Sequence, residues 1–345
     1  MLRALSFLLV AVMSAGSLAT QTGTYRVFIL AGQSNMEGKA QNVLWERQAV
    51  DPKTAEFFAP YRDGDGWEVR DDVFIDYLGR RGKLTLGFGS PGRTGVEFAF
   101  GHAVGEHFDE PVLLIKTAWG GKSIYKDFRP PSAGMPSDEQ LQAELEQRQQ
   151  QVRNRNEKND RDDPLPTMGE VRGAYGRFWR DMVTAVQAGI AHAGENFPEL
   201  RGRRPVLGGL VWFQGWNDQY NGYEQSYREN LAHFVRDVRA TFEAPELPVV
   251  IGVMGQNGSK PAKGAMKVIQ DAQLAVAAAD ERVVAVRTDE LVDTAAETLF
   301  PEWKERREEW DGTGSDHPYH YLGSAIWFTR MGRAFAEAMI PLAGG

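Results

Sequence analysis

Cysteine is absent from all 345 residues. Its absence excludes disulfides, a thiol nucleophile, thiolate metal sites and a lipid-modified leader cysteine. Histidine is scarce, with six in the chain, so imidazole chemistry can be traced by elimination. A basic face is also missing: the formal charge is −8, and Lys and Arg are scattered rather than massed. That argues against nucleic acid as a partner, since a phosphate backbone needs a basic surface. After the first 20 residues no stretch supplies 18 consecutive apolar residues, so no membrane span is expected.

What is present begins with MLRALSFLLVAVMSAGSLAT: Arg3, an apolar Ala4–Met13 core, then small residues ending in Ser17-Leu18-Ala19. The pattern predicts a signal peptide over residues 1–19 and a secreted or periplasmic location. With 42% hydrophobic residues the remainder can bury a sizeable core. Residues 20–345 are expected to form one large α/β domain carrying a polar insertion around 126–172.

The stretch Tyr25–Met36, YRVFILAGQSNM, organises the rest. Val27, Phe28, Ile29 and Leu30 form a continuous apolar run bounded by Gly32, which suits a parallel strand buried on both faces. The turn after it delivers Ser34 to the carboxyl edge of the sheet, where open α/β sheets bind ligands. The competing reading is that Ser34 only caps the following segment. Further strands are predicted at Pro111–Ala118, Val206–Phe213, Leu247–Met254 and Arg282–Arg287. Helical spacing covers Gly95–Phe108, Tyr175–Phe197, Glu224–Phe242, Lys263–Ala279 and Gly323–Met339. Strands alternating with helices predict a three-layer αβα sandwich with a five-stranded parallel flavodoxin-like sheet in the order 2-1-3-4-5. Glu37–Arg93 shows no sustained period and is read as long loops with short pieces of structure. Asp138–Asp163 is polar almost throughout, either a solvated helix or an excursion of low order.

In that strand order the segments after strands one and three meet where the sheet reverses, bringing Ser34 and Gln214 to one crevice. Gly120 and Gly121 follow strand two, either as an ordinary turn or as backbone that approaches a ligand. His102, His107, His192 and His233 fall in predicted helices, which leaves His317 and His320 in the loop before the last helix. Asp316 adjoins His317, and adjacent side chains in extended chain diverge, whereas His320 can fold back onto that carboxylate through a turn. Asp316 and His320 are therefore the preferred acid and base, with His317 the alternative base. Metal binding by His317 and His320 competes but lacks a third ligand, and no metal or other cofactor is expected. A nucleophile, a proton acceptor and amide donors are what acyl transfer requires.

The blocks GQSNM, TAWGGKS and WFQG and the late histidine loop, in that order, resemble the SGNH-type hydrolases, and within them the sialate O-acetylesterase-like group that includes carbohydrate esterase family 6. The resemblance covers nearly the whole chain after residue 20. It implies Ser34 as nucleophile, and an oxyanion hole from the Ser34 amide, Gly120 or Gly121, and the Gln214 side chain. It implies His320 with its aspartate as the rest of the triad. Two departures stand out. Relatives often read Gln-Gly-Glu where this chain has Gln214-Gly215-Trp216, and their usual last block is Asp-x-x-His, whereas Asp316 lies four residues before His320. Gln33, Asn35, Trp119, Trp216, Asn217 and Asp218, flanking the blocks, are expected to contact substrate, the tryptophans by stacking on sugar rings. The expected function is a secreted serine esterase, of acetylxylan or sialate type, that removes O-acetyl groups from a carbohydrate through an acyl-enzyme without a cofactor. The alternatives are a catalytically impaired carbohydrate-binding protein on the same fold and a lipase or thioesterase.

Overall fold

The computed structural model describes residues 23–344, so the leader-like residues 1–19 lie outside the described residues. Seven strands form the main sheet: β1 (Thr24–Gly32), β2 (Val73–Tyr77), β3 (Arg80–Lys83), β4 (Val112–Ala118), β5 (Arg204–Phe213), β6 (Val249–Val253) and β7 (Val283–Arg287), in the order β7-β6-β5-β1-β4-β2-β3. The five expected strands are β1, β4, β5, β6 and β7, in the expected order and parallel to one another.

The expected strand count is corrected from five to seven. β2 continues the parallel set beside β4, and β3 turns back antiparallel at the edge. Both fall in the stretch read as loops. Asp76 sits in the middle of β2 yet is buried, because Arg81 Nε and the Gly79 N–H bind its carboxylate at 2.6 and 3.0 Å. A charged residue satisfied from the neighbouring hairpin reads as a turn in sequence, and the charged RRGK of β3 is the kind of strand that tolerates an open edge.

Helices cover both faces. Numbered here are those that frame the argument: α1 (Ser34–Glu37), α2 (Glu97–His107), α3 (Asp138–Asn159), α4 (Arg177–Ala191), α5 (Tyr227–Thr241), α6 (Gly264–Ala278) and α7 (Ala325–Ala343). β1 shows why two layers are needed. Phe28 and Leu30 join the core under α2 and α7, while Tyr25, Val27, Ile29 and Ala31 join the core under α4, α5 and α6. Alternate residues of one apolar run thus go to opposite faces, as a central parallel strand requires. The polar stretch after Ser137 is α3, 22 residues long and opened by a capping box between Ser137 and Gln140; Leu141 is its one buried residue. Among the described residues no helix is long and apolar enough to cross a membrane.

Register decides where the blocks end. Gly32 pairs with Ala118 of β4 on one side and with Phe213 of β5 on the other. Three strands thus finish level, and the turns after them leave the same edge of the sheet side by side.

Candidate active site

Ser34 is the first residue of α1 and is buried. The backbone stitches its turn to both neighbours: Gln33 N–H donates to the Phe213 carbonyl at 3.3 Å, and Trp119 N–H donates to the Gly32 carbonyl at 3.2 Å. Only glycine fits at position 32, because a methyl there would overlap the Phe213 carbonyl oxygen and lie 2.8 Å from its carbon.

The loop carrying the late histidines reaches this turn from the far end of the chain. Asn35 Nδ2 donates to the Tyr319 carbonyl at 3.1 Å. His320 Nδ1 lies 3.2 Å from Asp316 Oδ2, off the line of a hydrogen bond. Burial would raise the Asp316 carboxyl, but His320, the His317 N–H and Arg93 outweigh it and hold the group well below the ordinary carboxylate range. The chain makes the four-residue return by an unusual path: Tyr321, Leu322 and Gly323 are all left-handed, at φ 52°, 59° and 55°. Two non-glycine residues in that region cost about 1–3 kcal/mol each. The surroundings hold them there. Ser315 and Asp316 N–H both donate to the Leu322 carbonyl, at 2.8 and 3.0 Å, and the buried Tyr321 hydroxyl accepts from the Gly255 N–H at 3.0 Å and bonds Thr288 Oγ1 at 2.8 Å.

His317 points elsewhere. Its ring stacks on Tyr319 and meets Phe300 and Trp303 edge-on, with centroids 5.4, 6.2 and 6.2 Å away. Of the remaining histidines, His102 is buried in α2 against Glu68, Tyr61 and Phe98.

Several expected contacts turn inward. Gln214 Nε2 has three acceptors for its two protons: Asp218 Oδ2 at 2.6 Å, the Lys122 carbonyl at 2.9 Å and Gln33 Oε1 at 3.2 Å. Its Oε1 accepts from Tyr227 at 3.1 Å. Gln214, expected as an oxyanion donor, thus has protein acceptors within reach of both its amide protons and links the turns as a buried amide. Asp218, expected to contact substrate, also faces its own chain. It is fully buried, accepts the Ile124 and Tyr125 N–H groups at 2.9 Å each, and thereby ties the turn after β5 to the one after β4. Burial pushes its carboxyl up to about 7, against the three donors that favour the anion. Gln33 and Asn35 are also buried and point into this framework rather than outward.

The glycine pair divides. Gly120 N–H, one of the expected donors, donates to Glu37 Oε1 at 3.1 Å. Gly121 is left-handed, at φ 71°, and its carbonyl accepts from Asn217 Nδ2 at 3.0 Å. Its N–H has no protein acceptor among the described residues. Trp119, Trp216 and Asn217 are half-buried around the rim; Trp216 faces Tyr319 at 6.1 Å, and Trp119 packs on Phe178 at 5.1 Å.

Three contributors were not found in sequence. Glu37 binds Lys39 Nζ at 2.6 Å besides the Gly120 amide. The fully buried Lys116 donates to the Glu37 carbonyl at 2.9 Å and to Glu97 at 2.7 Å. Arg93 donates to the Lys39 carbonyl at 2.9 Å and to Asp316 Oδ2. The one sequence signal was a lysine inside an apolar strand, which demands a buried partner. Among the described residues no three His, Asp or Glu side chains gather into a metal-binding group.

Comparison with known proteins adds the family. A sequence model described as carbohydrate esterase, sialic acid-specific acetylesterase, matches residues 24–157 and 174–301. The chain belongs to this family. The match includes Ser34, Gly120, Gly121 and Gln214 and ends before the loop that carries Asp316 and His320. No curated protein matches the acetylesterase-family chain in sequence. Its fold is similar to that of a protein from Arabidopsis thaliana, at 14% identity over 92% of this chain and 98% of that one, with a TM-score of 0.50. Similarity extends to a carbohydrate acetylesterase from Xanthomonas citri, at 16% identity over 92% and 57% of the two chains and a TM-score of 0.47, and to NanS, at 13%, 76%, 77% and 0.40.

Proposed function

We propose that this family member is an exported serine esterase that removes O-acetyl groups from a carbohydrate of acetylxylan or sialate type. Ser34 Oγ attacks the acetyl carbonyl carbon while His320 takes its proton. The tetrahedral intermediate collapses, the sugar oxygen leaves with the proton from His320, and water then releases acetate from the acyl-enzyme by the same steps. Asp316 orients the imidazole. The donors left for the oxyanion are the Ser34 and Gly121 N–H groups and the second proton of Asn217 Nδ2. Trp119 and Trp216 offer ring faces to the sugar. What supports the reading most is the His320–Asp316 pair at 3.2 Å, in a loop hydrogen-bonded to the residue after Ser34. Export rests on the leader-like residues 1–19, and the single-domain reading on one main sheet whose strands run from Thr24 to Arg287 with helices on both faces.

A second reading, a carbohydrate-binding protein with impaired catalysis, draws on the bonds that the Gly120 N–H and the Gln214 amide make within the chain. Acetate release from acetylated xylan, acetylated sialic acid and simple sugar acetates, with p-nitrophenyl acetate as a general probe, separates the two. Under the proposal Ser34→Ala and His320→Ala each lose about 10³-fold or more in kcat/KM, while His317→Ala keeps most of the activity. A loss of only a few-fold in Ser34→Ala removes Ser34 as nucleophile, and inactivity of His317→Ala with an active His320→Ala moves the base.

A further inference from the structure

Arg93 lies in a two-stranded ribbon in which Ala40 and Gln41 pair with Thr94 and Arg93. The ribbon grips the histidine loop from below: Gln41 N–H donates to Ser315 Oγ at 3.1 Å, and Ser315 Oγ donates to the Gly323 carbonyl at 2.8 Å. One guanidinium nitrogen, Nη1, then reaches both the Lys39 carbonyl and Asp316 Oδ2. That oxygen is the one facing His320 Nδ1, while Asp316 Oδ1 accepts the His317 N–H at 2.8 Å. The Asp316 side chain is 11% exposed and that of Arg93 27%, so water screens the pair only in part.

Resting on the reading of Ser34, His320 and Asp316 given above, we propose that Arg93 is a positioning residue that fixes Asp316 beneath His320 and sets how strongly the acid draws on the imidazole. An ordinary surface ion pair would bind whichever carboxylate oxygen faced solvent. Here the arginine shares the oxygen that faces the base, and it is anchored by a backbone carbonyl one residue before the ribbon. Sharing has two effects. It keeps Asp316 anionic and oriented, and it offsets part of the negative charge that the acid presents to the imidazole. Other charged side chains on elements packed against the loop include Glu37 at the end of α1 with Lys39 just after it, Arg47, which donates to the Asp311 carbonyl, the Arg307–Asp311 pair at 2.8 Å, which lines the same cavity as Arg93 and Asp316, and Asp293, which accepts from Ser324 Oγ. None of them hydrogen-bonds to Asp316 or His320.

Arg93→Gln keeps an amide donor and removes the charge; Arg93→Lys keeps the charge and loses the fork, and stands in if the glutamine variant does not fold. Two measurements are made on wild type and both variants: kcat and KM for p-nitrophenyl acetate against pH, and the NMR titration of the His320 imidazole. In Arg93→Gln the acid limb of kcat/KM and the imidazole midpoint both move to higher pH by about one unit. kcat falls roughly tenfold or more at neutral pH while KM stays within about threefold. Arg93→Lys returns the midpoint toward wild type. An unmoved midpoint, or a loss confined to KM, overturns the proposal. A wild type that hydrolyses no acetate overturns the esterase reading instead, while the NMR titration still decides whether Arg93 acts on the Asp316–His320 pair.

Discussion

Lys116 offers the sharpest test of the framework under the site. It lies in β4 with no exposure, and its ammonium donates to Glu97 Oε2 at 2.7 Å, to the Phe88 carbonyl at 2.8 Å and to the Glu37 carbonyl at 2.9 Å. Glu97 is equally buried, and its other oxygen accepts the Gly95 N–H at 2.8 Å. Burial lowers the pKa of Lys116, and the Glu97 charge opposes that fall. Lys116→Met preserves an unbranched apolar stem but strands a carboxylate and two carbonyls in the core. Breaking a buried pair from one side costs about 3–5 kcal/mol. Each orphaned carbonyl adds about 1 kcal/mol. Protonation of Glu97 recovers part of this, so a net loss of about 4–6 kcal/mol is expected, a large share of a typical stability of roughly 5–15 kcal/mol. Lys116→Met combined with Glu97→Met removes both charges and leaves only the backbone groups unpaired, which is expected to cost about 1–3 kcal/mol. The double variant should therefore be more stable than Lys116→Met alone. Urea unfolding of wild type, both single variants and the double variant at pH 7 measures the coupling. A Lys116→Met loss below about 1 kcal/mol, or a double variant equal to the sum of the singles, would refute the reasoning, because then no desolvated charge was being held.

Two further outcomes follow from the same geometry. Gly32→Ala must part the ends of β1 and β5, since its methyl would press on the Phe213 carbonyl and stand 3.0 Å from Met36 Cβ; activity should fall about 100-fold even where the variant folds, and near-normal turnover would show that the turn is not set by this contact. His102 is 4% exposed, and burial lowers its pKa to about 4 from 6.5. The folded state thus resists the proton that the unfolded chain binds, so this contribution is complete above pH 6.5 and is lost as pH falls toward 4, about 2 kcal/mol of it by pH 5. His102→Phe should flatten that stretch of the stability curve in melts from pH 7 to 5, and parallel curves for the two proteins would contradict the assignment.

The sequence revealed the strands that run through the middle of the sheet because each is largely apolar, β4 with the single interruption Lys116-Thr117, and runs into a glycine or a polar turn. It hid β2 and β3 because Asp76 and the arginines of the hairpin satisfy one another, a relation visible only once the chain has turned back. Ser34 stood out as a candidate because its turn follows a strand with a continuous apolar run. The direction of its polar neighbours could not. Gln33, Asn35, Gln214 and Asp218 look in sequence like residues waiting for a ligand, and spacing carries no information on whether an amide faces solvent or the adjoining turn. Arg93 was out of reach for another reason: 223 positions separate it from Asp316, and no local pattern marks either as the partner of the other.

These inward side chains change how the departure at Trp216 is understood. Where relatives of the family often carry a glutamate, a tryptophan could have meant a broken catalytic network. The hydrogen bonds that join the three turns, however, run through Gln33, Gln214 and Asp218, and none of the recorded bonds uses the Trp216 side chain. Trp216 instead stands half-buried at the rim with its ring toward Tyr319, whose carbonyl is bound by Asn35. Under the proposed function, an apolar ring in that place alters the surface a sugar meets and leaves the framework around Ser34 as it was. On that proposal the departure bears on which carbohydrate is accepted rather than on whether the acyl group can be transferred.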